Sequence, residues 1–160
     1  MLWDRQDHAV CNLLDHYMVA TGGEHENGLN TAEIYDITTN KWTALPKLNV
    51  GRSNHSSCSI DRVIYVFCGY CQSDENSVER LDFDKYNKKW QFVKLDFDIL
   101  TPREMTVAYA VNETEIAIIG GRADNYLADV IIYDTQKSSV TKLPVTECPL
   151  VSKTASAVKV

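Results

Sequence analysis

The chain has 160 residues, of which 44% are hydrophobic, and a formal net charge of −6. That length is enough to bury an ordinary single-domain core. The negative charge, with no Lys/Arg run longer than two residues, repels phosphate backbones and argues against a nucleic-acid partner.

The longest apolar stretch, around 63–71, is too short to span a bilayer. Asp4, Arg5, Asp7 and His8 stand where a secretory signal needs an apolar core, so neither a membrane partner nor secretion is expected. Five cysteines on no fixed spacing fit small buried side chains in a reducing compartment better than a disulfide framework, which makes a cytoplasmic protein the expectation.

Taken in chain order, Arg5-Gln-Asp-His8 opens two apolar stretches, 8–14 and 17–21, joined by the polar pair Asp15-His16. Such a link closes a hairpin between two strands. Gly22-Gly23 follows, then a variable loop over 24–30. A second hairpin is expected from 31–35 and 43–45 around Asp36-Ile-Thr-Thr-Asn40, with Trp42 just before its second arm.

The same plan recurs. Arg52-Ser-Asn-His55 opens strands at 55–60 and 63–67 around Asp61-Arg62, ending at Cys68-Gly69; a loop over 70–76 leads to Glu79-Arg-Leu81-Asp82 and Trp90. Leu81 lies nine residues before Trp90, whereas Tyr35 lies seven before Trp42, so the turn at Asp84-Lys-Tyr-Asn87 is expected to be longer. In the third copy Arg103-Glu-Met-Thr106 opens strands at 106–111 and 116–119 around Asn112-Glu113. Gly120-Gly121, a loop over 122–127, Ile131-Ile-Tyr133-Asp134 and Val140 complete it.

From Trp42 to Trp90 is forty-eight residues, and from Trp90 to Val140 fifty. No segment carries apolar residues at helical spacing, so the chain reads as all-β. A four-stranded antiparallel sheet repeated on that period is the pattern of a propeller blade, whose sheet faces are buried against its neighbours. The expected units are 3–49, 50–100 and 101–148, with 149–160 as the opening strand of a fourth. Three blades and a strand make an incomplete ring, so a fragment of a longer propeller is the expectation, and the open sheet edge is an aggregation liability.

Over essentially its whole length the sequence resembles the kelch-repeat family. The marks are the glycine pairs Gly22-Gly23 and Gly120-Gly121 with Gly69 of the middle pair, Tyr35 and Tyr133 before an aspartate, Trp42 and Trp90, and the opening arginines. Cys68, Thr106 and Val140 depart from the pattern. The resemblance implies a protein-interaction module with a protein or peptide partner; the open blade edges left by the blade count add self-association as an expectation. It also fits two alternatives: the substrate-recognition part of a multidomain ubiquitin-ligase adaptor or a cytoskeletal scaffold, and, from another class, an enzyme resembling the copper radical oxidases.

The glycine pairs need positive φ or a close backbone approach and are no phosphate cradle, since the third glycine, the Lys-Ser/Thr and the helix are missing. His8-Ala-Val-Cys11 and His55-Ser-Ser-Cys58 suggest metal ligands, but strand residues three apart point to opposite faces, and the Cys68-Gly-Tyr-Cys71 pair has no second pair at zinc spacing. No nucleophile triad or carboxylate pair stands out. No catalytic residue, metal or cofactor is assigned, and no enzymatic activity is expected.

Trp42 and Trp90, with Tyr35 and Tyr133, are expected to pack between blades. Because the first two strands of each unit run antiparallel, Arg5, Arg52 and Arg103 share a face with the loops that follow the glycine pairs. Two roles are open to them, partner contact or a hydrogen-bond network between blades. Arg122, Tyr70, Asn125 and Tyr126, on loops that differ between copies, are the further candidate contact residues.

Overall fold

A computed structural model of the chain describes residues 1–25, 27–70, 77–84, 89–93 and 101–144. Blade 1 contains β1 (Ala9–Leu13), β2 (Tyr17–Thr21), a two-residue hairpin β3 (Glu24–His25) and β4 (Asn27–Gly28), then β5 (Ala32–Asp36) and β6 (Lys41–Leu45). Blade 2 is β7 (Ser56–Ile60), β8 (Val63–Phe67), β9 (Val78–Asp82) and β10 (Gln91–Val93). Blade 3 is β11 (Val107–Ala110), β12 (Glu115–Ile119), β13 (Val130–Asp134) and β14 (Ser139–Leu143).

Each blade is a four-stranded antiparallel meander in sequence order, with the β3–β4 hairpin set apart. Among the described residues there is no helix. The all-β blade reading therefore holds, with strand ends within one or two residues of expectation. The β3–β4 hairpin is new, because two residues per arm are too short for a hydrophobic period to reveal. The fourth unit at 149–160 and the middle of the longer turn, 85–88, lie outside the described residues.

The turns are built by side chains that the spacing picked out. Asp36 accepts hydrogen bonds from the Thr38 and Thr39 amides, and Asp134 from those of Gln136 and Lys137, so each carboxylate stands in for a backbone acceptor at the start of its turn. Asn40 and Ser138 close these turns at φ 55° and 52°.

Alternation along the strands gives each blade two faces. Cys11, Leu13, Val19 and Ile34 form the trailing face of blade 1, and they share one core with Ile64, Val66, Leu81 and Trp90 on the leading face of blade 2. Cys58, Tyr65, Phe67, Val78 and Val93 on the trailing face of blade 2 share the other with Ile116, Ile118, Ile131, Tyr133 and Val140 of blade 3. The core thus lies between sheets, one layer per joint.

Trp90 is 4% exposed, and its indole N–H donates to the Pro46 carbonyl of blade 1 at 2.9 Å. Trp42 occupies the equivalent position in blade 1, its ring tilted against Tyr35 at 5.0 Å, but it is only half-buried. Trp90 thus packs between blades 1 and 2, whereas Trp42 lies on a leading face that no described blade covers.

Trp90→Ala is therefore expected to cost about 3–5 kcal/mol of unfolding free energy, as large aromatic truncations in cores do, and Trp42→Ala less than about half of that. Urea unfolding of the two variants measures the difference. Equal losses would contradict the joint assigned to Trp90.

Candidate functional site

Each blade is entered beside an arginine whose side chain is withdrawn from solvent. The Arg52 guanidinium donates to the Cys68 carbonyl at 2.7 Å, to the Ser77 carbonyl and hydroxyl at 3.0 and 2.5 Å, and to Glu79 at 2.9 Å. Arg5 repeats the pattern on the Gly22 carbonyl, on Thr31 and on Glu33. Both ion pairs have fully buried side chains.

The carboxylates are equally engaged. Glu79 also accepts from the Asn49 and Val50 amides at 2.7 and 3.2 Å, and Glu33 from the Leu2 amide at 2.6 Å. In blade 3 the acid moves by two residues: Arg103 reaches the Gly120 carbonyl at 3.1 Å and grips Asp129 with both terminal nitrogens at 2.6 and 3.2 Å, while Ile131 fills the strand position held by Glu33 and Glu79. Burial acts to raise the Asp129 carboxyl, but hydrogen bonds from Arg103 and Lys142 outweigh it and the group is held below its ordinary range.

Of the two roles open to the repeated arginines, partner contact is therefore corrected. The side chains of Arg5, Arg52 and Arg103 are 0% exposed, and each ties together strands of its own blade rather than bridging two blades. Sequence reasoning missed their acidic partners. The signal was available in Glu33 and Glu79, which recur at one repeat position.

The joints between blades are made by backbone. The Gly23 amide donates to the Arg52 carbonyl and the Gly69 amide to the Arg103 carbonyl, at 2.8 and 2.9 Å. The Asn54 amide donates to Asp7 and the Met105 amide to Asn54, at 2.9 and 2.7 Å. Asp7, Asn54 and Met105, one per blade, all sit at positive φ between 52° and 57°.

Gly22 also faces this joint, where a Cβ would lie 2.5 Å from the Arg52 carbonyl oxygen and 2.6 Å from the His55 ring. The middle pair holds Cys68 at φ 56° in that position, and the residue at the His55 position of its next blade is the smaller Thr106. His55 Nε2 lies 2.9 Å from Thr21 Oγ1. Burial, with the Arg52 charge beside it, lowers His55 to about 3. Burial and Arg5 lower His8 as well.

The loops after the glycine pairs do gather on the face where the chain enters each blade. Gln6 bridges Glu24, Ser53 bridges Tyr70, and Glu104 bridges Arg122, three equivalent pairs with three different side chains on the loop side. Between blades 2 and 3 a cleft of about 490 Å³ opens, with Gly69 and Tyr70 on one wall and residues 101–104 and 122–124 on the other.

Tyr70 is 60% exposed. The Arg122 side chain is half-exposed and forms a loose ion pair with Glu104 at 3.7 Å, longer than a hydrogen bond. Tyr126 and Asn125 belong to the same loop, fastened by the Leu127 amide to the Gly121 carbonyl at 2.8 Å and by the Ala123 amide to the Asn125 carbonyl at 3.0 Å. Both are exposed, and neither lines the cleft. Thr101 and Glu104 do line it and were not expected from the sequence.

Among the described residues no three His, Cys, Asp or Glu side chains converge as metal ligands. Cys11 and Cys58 are buried free thiols, and burial pushes Cys11 up to about 12 and Cys58 up to about 11. Cys71 lies outside the described residues.

The KLHDC2/KLHL20/DRC7 Kelch-repeats domain family matches residues 2–159. Kelch-like protein 15 of Danio rerio is 36% identical over 64 residues, 40% of this chain and 11% of that protein. A RING finger domain and kelch repeat-containing protein of Dictyostelium discoideum is 30% identical over 118 residues, 71% of this chain and 11% of its own length. An F-box/kelch-repeat protein of Arabidopsis thaliana is 31% identical over 77 residues, 48% of this chain and 20% of the relative. The chain thus spans a small part of the curated relatives that it matches.

Two outcomes follow from the buried groups. Glu79→Ala leaves Arg52 charged, buried and without its acid, and is expected to lower stability by about 3–5 kcal/mol in chemical denaturation. His55 is held neutral in the folded chain down to about 3, whereas in the unfolded chain it takes up a proton below about 6.5, and the lowering of His8 acts in the same direction. Stability is therefore full above about 6.5 and falls as pH drops toward the folded His55 value of about 3. Urea midpoints are expected to fall between about pH 7.5 and about pH 5, and His55→Gln to flatten the slope. An unchanged slope in that variant would remove His55 as its source.

Proposed function

Since the chain belongs to the kelch-repeat family, we propose that it is a protein-interaction scaffold whose loop face holds a segment of a partner protein in the cleft between blades 2 and 3. The observation that carries this reading is the pairing there of the exposed Tyr70 ring with the Arg122 guanidinium, on a backbone fixed by the Ser53–Tyr70 and Glu104–Arg122 bridges. A rigid strand scaffold that presents loop side chains is where binding usually resides. The chemistry fits a peptide segment with a carboxylate for Arg122 and an apolar or aromatic neighbour for Tyr70.

The net charge of −6 supports a protein rather than a nucleic-acid partner. Buried free thiols fit a cytosolic location. Relatives whose names join kelch repeats to an F-box or a RING finger domain favour one elaboration, in which this segment is the substrate-recognition part of a multidomain ubiquitin-ligase adaptor. Self-association through the open blade edges belongs to the same scaffold reading.

The test compares proteins captured by the full chain with those captured by Tyr70→Ala, Arg122→Glu and, at the exposed turn of blade 1, Ile37→Ser. A cleft partner, confirmed with purified components, is expected to bind the chain and Ile37→Ser equally. It should bind each cleft variant at least about tenfold more weakly, a difference of about 1.4 kcal/mol. A partner held equally by all four would place the binding surface elsewhere.

A further inference from the structure

The opening arginine of blade 3 differs from the other two in what surrounds it. In blades 1 and 2 one guanidinium meets one carboxylate, Glu33 or Glu79, and no second cation reaches that acid among the described residues. In blade 3 both Arg103 and Lys142 hold Asp129, at 2.6 and 2.9 Å, so two cations share one acid. Arg103 also reaches the segment before it. Its Nη2 donates to the Thr101 hydroxyl at 2.7 Å and its Nε to the Thr101 carbonyl at 3.2 Å, and Thr101 is exposed and lines the cleft between blades 2 and 3.

The scaffold does not call for a hydroxyl there. Two residues before Arg5 and Arg52 stand Trp3 and Val50, and both of those arginines are buried against their acids all the same. The Thr101 oxygen accepts from Arg103, while its own proton has no acceptor among the described residues. Pro102 follows, also exposed, and of the four prolines in the chain it alone is preceded by a serine or threonine. A proline-directed kinase reads that pair, and a residue before proline is biased to the extended backbone in which an acceptor is presented.

We propose that Thr101 is a phosphorylation site for a proline-directed serine/threonine kinase, and that the phosphate, held by Arg103 at the lip of the cleft, closes the cleft to an acidic segment. In the transfer the Thr101 oxygen attacks the γ-phosphorus of Mg-ATP, the bond to the β–γ bridging oxygen breaks, ADP leaves and the hydroxyl proton passes to the catalytic aspartate of the kinase. The product carries a charge of about −1.5 to −2 at neutral pH and three acceptor oxygens. Glu104 and Asp124 line the same wall and act against that charge, so its pairing rests on direct contact with Arg103, beside which Lys142 supplies the surplus cation. The same two acids give the switch its direction. With a phosphate beside them, the field around Arg122 turns against the carboxylate that the scaffold reading assigns to the partner. Closure rests on that reading, and the modification itself does not.

The test incubates the purified full chain and Mg-ATP with a proline-directed kinase selected because it modifies the free peptide of residues 96–106. Mass spectrometry is expected to find one phosphoryl group, at Thr101, added within about tenfold of the peptide's rate, since an exposed acceptor needs little local opening. Thr101→Ser is expected to accept the group and Thr101→Ala to accept none, with circular dichroism checking that both fold. A folded chain that stays unmodified while the peptide is turned over overturns the proposal. Phosphorus-31 NMR then follows the second ionisation of the phosphate, expected at lower pH in the folded chain than in urea because a guanidinium favours the more charged form. An equal or higher value in the folded chain would remove Arg103 as its holder.

Capture of the cleft partner by the phosphorylated chain is expected to be at least about tenfold weaker than by the unmodified chain. Undiminished capture by a chain carrying phosphate on Thr101 overturns closure, while the comparison of Tyr70→Ala and Arg122→Glu still decides the cleft. If those two variants capture the partner normally, the cleft reading fails and the kinase and phosphorus results decide the modification by themselves.

Discussion

A guanidinium at the mouth of each blade closes a gap that the strand ladder leaves open. Where the second strand ends, the chain turns through a residue at positive φ, Gly22, Cys68 or Gly120, whose carbonyl is met by the opening arginine. A buried carbonyl without a donor costs free energy comparable to a lost hydrogen bond. Arg5, Arg52 and Arg103 supply that donor, and their planar fork reaches the third strand as well. Burying such a charge requires an acid within reach, so each blade holds one carboxylate against its arginine. In blade 3, Asp129 stands where blades 1 and 2 place the hydroxyls of Thr31 and Ser77, and the vacated strand position is apolar Ile131. The acid can move because the requirement is set by the arginine, not by a strand position.

The joints obey a second constraint, the conservation of filled volume between sheets. At the first joint Trp90 of the leading face shares its core layer with Val19 and Leu81. At the second joint the equivalent positions hold Val140, Tyr65 and Tyr133, with Tyr65 and Tyr133 edge to face at 5.7 Å. Bulk that one residue supplies at the first joint is divided between two at the second. The polar edge shifts in concert: Thr21, Gly22 and His55 at the first joint become Phe67, Cys68 and Thr106 at the second. His55 fills the space that a Cβ at residue 22 would need. With threonine in its place, the second joint accepts Cys68 at positive φ, a conformation that costs a non-glycine residue about 1–2 kcal/mol. The three departures from the repeat pattern are thus two compensated exchanges.

Strands, blades and period were legible because each strand carries enough apolar alternation to fix its faces, and because three copies in register give local signals that would be weak alone. The glycine pairs, Trp90 and the short polar links announced their positions for reasons that the geometry repeats. What escaped reading depends on contacts distant in sequence. The arginines looked equally suited to a partner and to a network, and only the arrival of Glu33, Glu79 and Asp129, 26 to 28 residues later, withdraws them from solvent. Trp42 and Trp90 are the same residue at the same repeat position and differ in burial because one has a blade in front of it. Tyr70 and Arg122 were singled out by the opposite logic, since a loop that differs between copies of a fixed scaffold is free to carry something other than the fold.

That freedom has a physical basis at one position in each blade. Glu24, Tyr70 and Arg122 are held by paired backbone hydrogen bonds to Gln6, Ser53 and Glu104, each loop fastened to the segment that opens its own blade. The restraint uses only main-chain atoms, so it places no demand on the side chain, which can be acidic, aromatic or basic without loosening the loop. The buried arginine just before each opening segment anchors that restraint from below. One surface therefore carries an acid, a phenol and a guanidinium at equivalent points around the arc, with the last two facing each other across a cleft. The fold fixes where those groups stand and leaves the choice of side chain open.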